Sequence, residues 1–181
     1  MTSVRNPVLL EVIPASMEQT PILANLIQLY AHDFSEFHDV ELGPDGKFIY
    51  SDLPLYWREP HRHPFLIMAD GQLAGFVLLK RGSEVSLNEN VWDVVEFFII
   101  RSLRRRGIGT EIAHKVWRKF PGSWEVRVLE RNFAARNFWE RAVAEFVGEN
   151  VPPCSFDRDG DSWHLFCFES NAHTPGGLPI E

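Results

Sequence analysis

Residues 96–110 read Glu96-Phe-Phe-Ile-Ile-Arg101-Ser-Leu-Arg104-Arg105-Arg106-Gly107-Ile108-Gly109-Thr110. The stretch completes a β-branched and aromatic run, Val91 to Ile100, whose composition suits a central strand. From Gly107 onward, Ile108, Ile112, Ala113, Val116, Trp117 and Phe120 recur at helical spacing until Pro121-Gly122 stops them. A strand therefore feeds a helix through a turn carrying four arginines. Backbone N–H groups at a helix start lack intrahelical acceptors, and the aligned peptide dipoles place partial positive charge there. Glycines let that backbone approach an anion closely, and flanking arginines add charge-assisted hydrogen bonds to phosphate oxygens.

Working outward, the flanking sequence predicts a sheet. Upstream, Val8 to Ile13 reads as a first strand, and Ser16 and Pro21 open a helix with Ile22, Leu23, Leu26, Ile27 and Tyr30 on one stripe. Phe65 to Ala69 and Leu73 to Lys80 are apolar runs joined by Asp70-Gly71, a dipeptide suited to a tight hairpin. Residues 31–64 hold four of the prolines and glycine-rich turns but keep Phe34, Phe37, Tyr50 and Trp57, which predicts a packed substrate-side loop or short helices. Downstream, Trp124 to Leu129 is a strand, and Asn132 caps a helix burying Ala135, Phe138, Trp139 and Ala142. Phe146 to Val147 and Ser162 to Phe168 read as two late strands. The expectation is one α/β domain over residues 1–169, a mixed sheet of six or seven strands with helices on both faces, and a loose tail over 170–181.

Charge is unevenly placed in this chain of 181 residues and net charge −7. Residues 6–46 contain seven acids and no Lys or Arg, whereas residues 97–131 contain nine Lys or Arg against three acids, a balance of +6. The overall acidity argues against a nucleic-acid partner, because duplex binding rests on neutralising phosphates, and the basic segment fits a small polyanion bound locally. No apolar run approaches the roughly 20 residues of a membrane span, and the VLLEVI run is short, broken by Glu11 and without a basic leader, so no membrane partner and a cytoplasmic location are expected. Cys154 and Cys167 lack metal or redox spacing. His61-Arg62-His63 lacks a third ligand, and no metal is expected.

Two other phosphate motifs fit poorly. A dinucleotide fingerprint would need a third glycine where Ile112 stands, and a Walker A loop would need Gly-Lys-Ser or Gly-Lys-Thr, which is absent. Arg104-x-x-Gly107-x-Gly109 instead resembles the coenzyme A pyrophosphate loop of the GNAT N-acetyltransferases, and Asn132-x-x-Ala135-x-x-Phe138-Trp139 resembles their second motif. Glu96-Phe-Phe-Ile, Arg-x-x-Gly-Ile-Gly-x-Glu-Ile and Asn137-Phe138 are locally similar to spermidine/spermine acetyltransferases. The likeness covers residues 93–143 well and the rest by order of elements.

The resemblance implies direct transfer of an acetyl group from acetyl-coenzyme A to a primary amine in a ternary complex. By it, main-chain groups of Phe98, Ile99 and Ile100 meet the pantetheine arm, and Arg104, Arg105, Arg106, Gly107, Ile108, Gly109 and Thr110 hold the pyrophosphate. Asn132 and Phe138 belong to the same cofactor region. A base must take the amine proton, and both Glu96 and Asp93 match acids used by relatives. Alternation puts positions 93 and 96 on opposite faces unless a bulge intervenes, and Glu96 is preferred. A main-chain N–H of Phe97 or Phe98 is the expected oxyanion donor. Where many relatives carry a tyrosine acid, this chain has Trp139, which keeps open a non-catalytic acyl-coenzyme A binding or sensing module. The acids Asp33 and Glu36 and the ring of Trp57 are candidate acceptor contacts for a cationic small molecule or peptide. The resemblance also admits a homodimer, though no residue marks an interface.

Overall fold

A computed structural model describes residues 8–171. Seven strands, β1 (Leu10–Pro14), β2 (Arg62–Ala69), β3 (Gln72–Arg81), β4 (Trp92–Ile99), β5 (Gly122–Leu129), β6 (Cys154–Arg158) and β7 (Asp161–Ser170), form one sheet in the order β1-β2-β3-β4-β5-β7-β6. Every neighbouring pair is antiparallel except β4 and β5. Three helices, α1 (Thr20–Phe34), α2 (Ile108–Lys119) and α3 (Phe133–Val147), cover it. The mixed α/β sheet with helices on both faces is as the sequence predicts.

Alternation along the strands divides the core in two. Val77, Leu79, Val94, Val126 and Val128 pack with Ile112, Val116, Trp117, Trp139 and Val143 beneath α2 and α3. Phe76, Leu78 and Phe98 point the other way, onto Leu23, Leu26 and Ile27 of α1 and onto Leu53 and Tyr56 of a short 3-10 turn. That turn, Leu53–Trp57, and a single bridge between Leu42 and Phe48 are the regular structure in the long acidic segment.

The hairpin at Asp70-Gly71 is present, both residues having positive φ, 51° and 74°. The late strands need correction. Phe146 and Val147 close α3, because the stripe of Trp139, Ala142 and Val143 continues to Phe146, whose ring packs edge-on against Trp117. Gly148, at φ 88°, then ends the helix. The missing strand is β6, turned into β7 by Asp159-Gly160 at φ 53° and 83°. β7 runs through Ser170, and residues 172–181 of the expected tail lie outside the described residues.

Two irregularities interrupt the centre of the sheet. β4 and β5 pair only at Trp92 with Trp124 and Asp93 with Glu125, after which the strands part. In the β3–β4 ladder, Leu78 opposes Glu96 but Leu79 opposes Val94, so Val95 is an extra, bulged residue.

Candidate active site between the parted strands

Where β4 and β5 diverge they leave a cleft of about 400 Å³. Val94 to Phe97 form one wall and Val126 to Leu129 the other, with Asn132, Ala135 and Trp139 of the α3 region at one side and Tyr30 and Phe34 of α1 at the other. β5 remains paired to β7 throughout, whereas the β5-facing edge of β4 has no partner beyond Asp93 among the described residues. Ile100 N–H donates to Ala74 O at 2.9 Å, on the β3 side. By the alternation of an antiparallel ladder, Phe98 also directs its peptide groups to β3, leaving those of Phe97 and Ile99 facing the gap. This corrects the expectation that Phe98 and Ile100 offer their main chain to a ligand there.

The bulge at Val95 brings Asp93 and Glu96 onto one face. Trp92, Val94, Phe97 and Ile99 pack into the α2/α3 core, so Val95 and Glu96 fall consecutively on the α1 side, as does Asp93. Glu96 lines the cleft with its carboxylate among tyrosines: Tyr50 Oη donates to its Oε1 at 3.4 Å, and Tyr30 lines the cleft beside it. Burial pushes the Glu96 carboxyl up to about 7, against the opposing pull of those hydroxyls and of Arg127. The same enclosure, with the Glu96 charge beside them, raises the phenols of Tyr30, Tyr50 and Tyr56. Asp93 is 2 % exposed, and its carboxyl is raised by burial although Arg127 Nη2 lies 3.3 Å from Oδ2.

Arg127 escaped sequence reasoning as a site residue. The signal was there: Glu125 and Arg127 are charges on the alternate positions of a strand whose Trp124, Val126 and Val128 are core.

At the far end of β4 the arginine-rich turn is ordered by its own side chains. Arg104 Nε donates to Ile99 O at 2.7 Å, its Nη2 reaches Asp33 Oδ2 at 2.6 Å, and Arg101 Nη2 reaches the other oxygen of Asp33 at 2.6 Å. Arg105, at φ 61°, and Arg106 stay exposed. Gly107 caps α2 at φ 79° with open space where a Cβ would stand, and the first-turn amides of Ile108, Gly109 and Thr110 follow it. Gly109 lies against Phe138, whose ring would be 3.1 Å from an added Cβ and which also stacks on Phe97 at 5.8 Å. Asn132 Oδ1 accepts from Ala135 N–H at 3.0 Å, capping α3 at the cleft.

The three candidate acceptor contacts lie elsewhere. Asp33 is held by the two arginines, Glu36 is exposed, and Trp57 donates its indole N–H to Ala15 O at 2.9 Å; none lines the cleft. From the acidic segment, Phe34 and His38 do line it. Among the described residues no cluster of three metal-ligating side chains occurs, and no helix is long and apolar enough to cross a membrane.

Solved structures share this architecture at low identity. An acetyltransferase from Thermus thermophilus superposes with a TM-score of 0.66 at 16 % identity over 88 % of this chain and 96 % of its own. A spermidine N-acetyltransferase from Vibrio cholerae in complex with coenzyme A and spermine gives 0.60 at 13 % identity over 89 % and 95 %. A ribosomal L7/L12 alpha-N-protein acetyltransferase in complex with coenzyme A gives 0.60 at 13 % over 92 % and 98 %. No curated protein sequence matches the chain. The model of the acetyltransferase (GNAT) family, in contrast, matches residues 23–143, from α1 through the parted strands and the arginine-glycine turn into α3. That span holds every wall of the cleft but the β6–β7 side, and it establishes that the chain belongs to the GNAT acetyltransferase family and is an acyltransferase.

Proposed function

We propose that the protein transfers an acetyl group from acetyl-coenzyme A to a primary amine within a ternary complex, with Glu96 as the base. The observation that carries this reading is a half-buried carboxyl, held near 7 by its surroundings, on the wall of a cleft whose strand edge is unpaired. An amine arrives largely as ammonium and attacks only after losing a proton, so a base titrating near neutrality matches the task.

The residues fit coenzyme A. The gap-facing peptide groups of Phe97 and the N–H of Ile99, whose carbonyl is taken by Arg104, suit the amides of a pantetheine arm, and the Gly107 turn with the α2 amides suits a pyrophosphate. Arg105 and Arg106 are exposed beside that turn, whereas the Arg104 guanidinium is engaged by Ile99 and Asp33, so Arg104 serves by shaping the loop. Acetyl-coenzyme A supplies the acetyl thioester. Glu96 would take the proton that the ammonium must lose before attack; the amine nitrogen then bonds to the acetyl carbon as the C–S bond breaks, and the second nitrogen proton goes to the sulfur that leaves with the electron pair. Phe97 N–H is the strand donor available to a carbonyl oxygen in the gap. Asp93 sits too deep to meet an amine and balances Arg127 instead.

The test is a thermal-shift titration of the purified chain with acetyl-coenzyme A, coenzyme A, NAD and ATP, then an amine panel with free-thiol detection. Selective stabilisation by the two coenzyme A species and amine-dependent thiol release are expected. Thiol release undiminished in Glu96→Gln would remove Glu96 from the mechanism.

A further inference from the structure

Arg127 is the buried charge for which acetyl transfer as described leaves no task. Its side chain is 19 % exposed and lines the cleft. The contact with Asp93 is an ion pair at 3.3 Å without hydrogen-bond alignment: Asp93 Oδ2 has no hydrogen-bond partner among the described residues. No hydrogen bond from the guanidinium to a described residue is formed. A guanidinium stays charged and offers five donors in a fixed planar fork, so one that opens into a cleft is suited to an oxygen of a bound substrate.

The carboxylates at the cleft mouth are in the opposite condition. Glu84 is held by Lys80 at 2.6 Å and Arg158 at 3.0 Å, Asp159 by Arg158 at 3.3 Å, and Asp161 by His38 at 2.7 Å and by Arg131. The mouth has no surplus carboxylate for a polycation. Among the charged groups of the cleft, the one with donors left over is Arg127 on the β5 wall, across from Glu96 on the β4 wall, both on the α1 side of the sheet. Phe34, Phe156 and Trp163 line the space next to them.

Building on the assignment of Glu96 as base, we propose that the acceptor is an α-aminoacyl compound, its amine against Glu96 and the oxygen on the neighbouring carbon hydrogen-bonded by Arg127. The oxygen is either the carboxylate of a free amino acid or the carbonyl of an amide or peptide N-terminus, and the apolar rings take the side chain. Arg127 determines specificity: a site that hydrogen-bonds a substrate oxygen rejects the analogue lacking it, because the donors are then left unpaired.

Matched amines test this. Phenylalanine amide and phenylalanine carry the oxygen, phenethylamine has the same ring and amine without it, and spermidine represents a polycation. Steady-state turnover of the full chain with acetyl-coenzyme A should favour phenylalanine amide or phenylalanine over phenethylamine and spermidine by at least about tenfold in kcat/KM. The compound preferred identifies the source of the oxygen. In Arg127→Lys, and in Asp93→Asn/Arg127→Met, which removes both buried charges together, that preference should fall to within about threefold, mainly through KM. A wild-type preference below threefold, or one preserved in both variants, overturns the proposal. The same four compounds titrated by thermal shift in the presence of coenzyme A separate this failure from that of acetyl transfer. Oxygen-dependent stabilisation lost in the variants upholds the α-aminoacyl site even where no amine is acetylated, and equal stabilisation by all four compounds refutes it.

Discussion

The hydroxyl of Tyr50 lies 3.4 Å from Oε1 of Glu96, tying the acidic segment between α1 and β2 to the strand that lines the cleft. A phenol can donate to a carboxylate, so the contact favours the ionised form of Glu96, while burial opposes it and prevails. kcat/KM should therefore rise with pH through an apparent pKa near 7. Tyr50→Phe should move that midpoint upward, because the charged form loses a donor, and a midpoint moving downward would contradict this geometry.

Glu96 also makes stability depend on pH, with a sign opposite to that of most carboxylates. Its folded pKa, about 7, lies above its ordinary value of 4.5, so the folded protein holds the proton more tightly. The contribution is complete below 4.5 and is lost as pH rises toward 7. Wild type should lose thermal stability between pH 5 and 8 relative to Glu96→Gln, which keeps a neutral side chain throughout. Parallel melting curves across that interval would show that the carboxyl is not enclosed.

How far these features could be read beforehand differs by type. The Asp70-Gly71 hairpin and the strand-turn-helix from Val91 to Phe120 were legible because turn chemistry and apolar period are local properties. Phe146-Val147 was not, since two apolar residues fit a strand or the last turn of a helix equally well until their partners, Trp117 and Phe168, are known. The Val95 bulge depends on the β3 register, which no local pattern reveals, yet it decides that Asp93 and Glu96 share a face. The parting of β4 from β5 and the placing of Arg127 across from Glu96 are likewise relations between distant segments.

Asp33 should affect cofactor binding without touching the cofactor. It anchors Arg101 and Arg104, and although partial burial pulls the other way, the hydrogen bonds from the two guanidiniums hold its own carboxyl below its usual value. Exposed pairs of this kind are worth up to about 1 kcal/mol each. Asp33→Asn should loosen the turn and raise KM for acetyl-coenzyme A by about two- to fivefold, with the pH midpoint of turnover unchanged. An unchanged KM would mean that the backbone at Arg105 and Gly107 keeps its shape unaided.

Gly75 is required for a close approach of backbones. A Cβ there would stand 1.9 Å from the carbonyl oxygen of Phe98, an atom that cannot swing aside as a side-chain tip can. Gly75→Ala must push β4 away from β3, at a cost of about 1–3 kcal/mol or more. Because the displaced segment is the cleft wall, acetyl-coenzyme A stabilisation should weaken along with the melting temperature. Loss of stability with ligand response intact would confine the strain to β3.

Arg127 and Asp93 make the sharpest energetic prediction, because Asp93 is fully buried and Arg127, itself largely buried, is the cation beside it. Removing one member of a buried pair leaves an uncompensated charge and costs about 3–5 kcal/mol, whereas replacing both by neutral groups is often close to neutral. Arg127→Met should accordingly be strongly destabilised, and Asp93→Asn in the same chain should restore much of the loss, a non-additivity readable by urea denaturation of the four proteins. The penalty should also depend on pH. Asp93 is already raised by burial with Arg127 present, and it rises further without that cation, so protonation relieves the Arg127→Met variant as pH falls. The deficit of the single variant should shrink as pH falls and grow as pH rises, more steeply than that of the double variant. Additive losses, or an Arg127→Met deficit that does not change with pH, would show that Asp93 has another source of compensation and that the guanidinium is held for the acceptor alone.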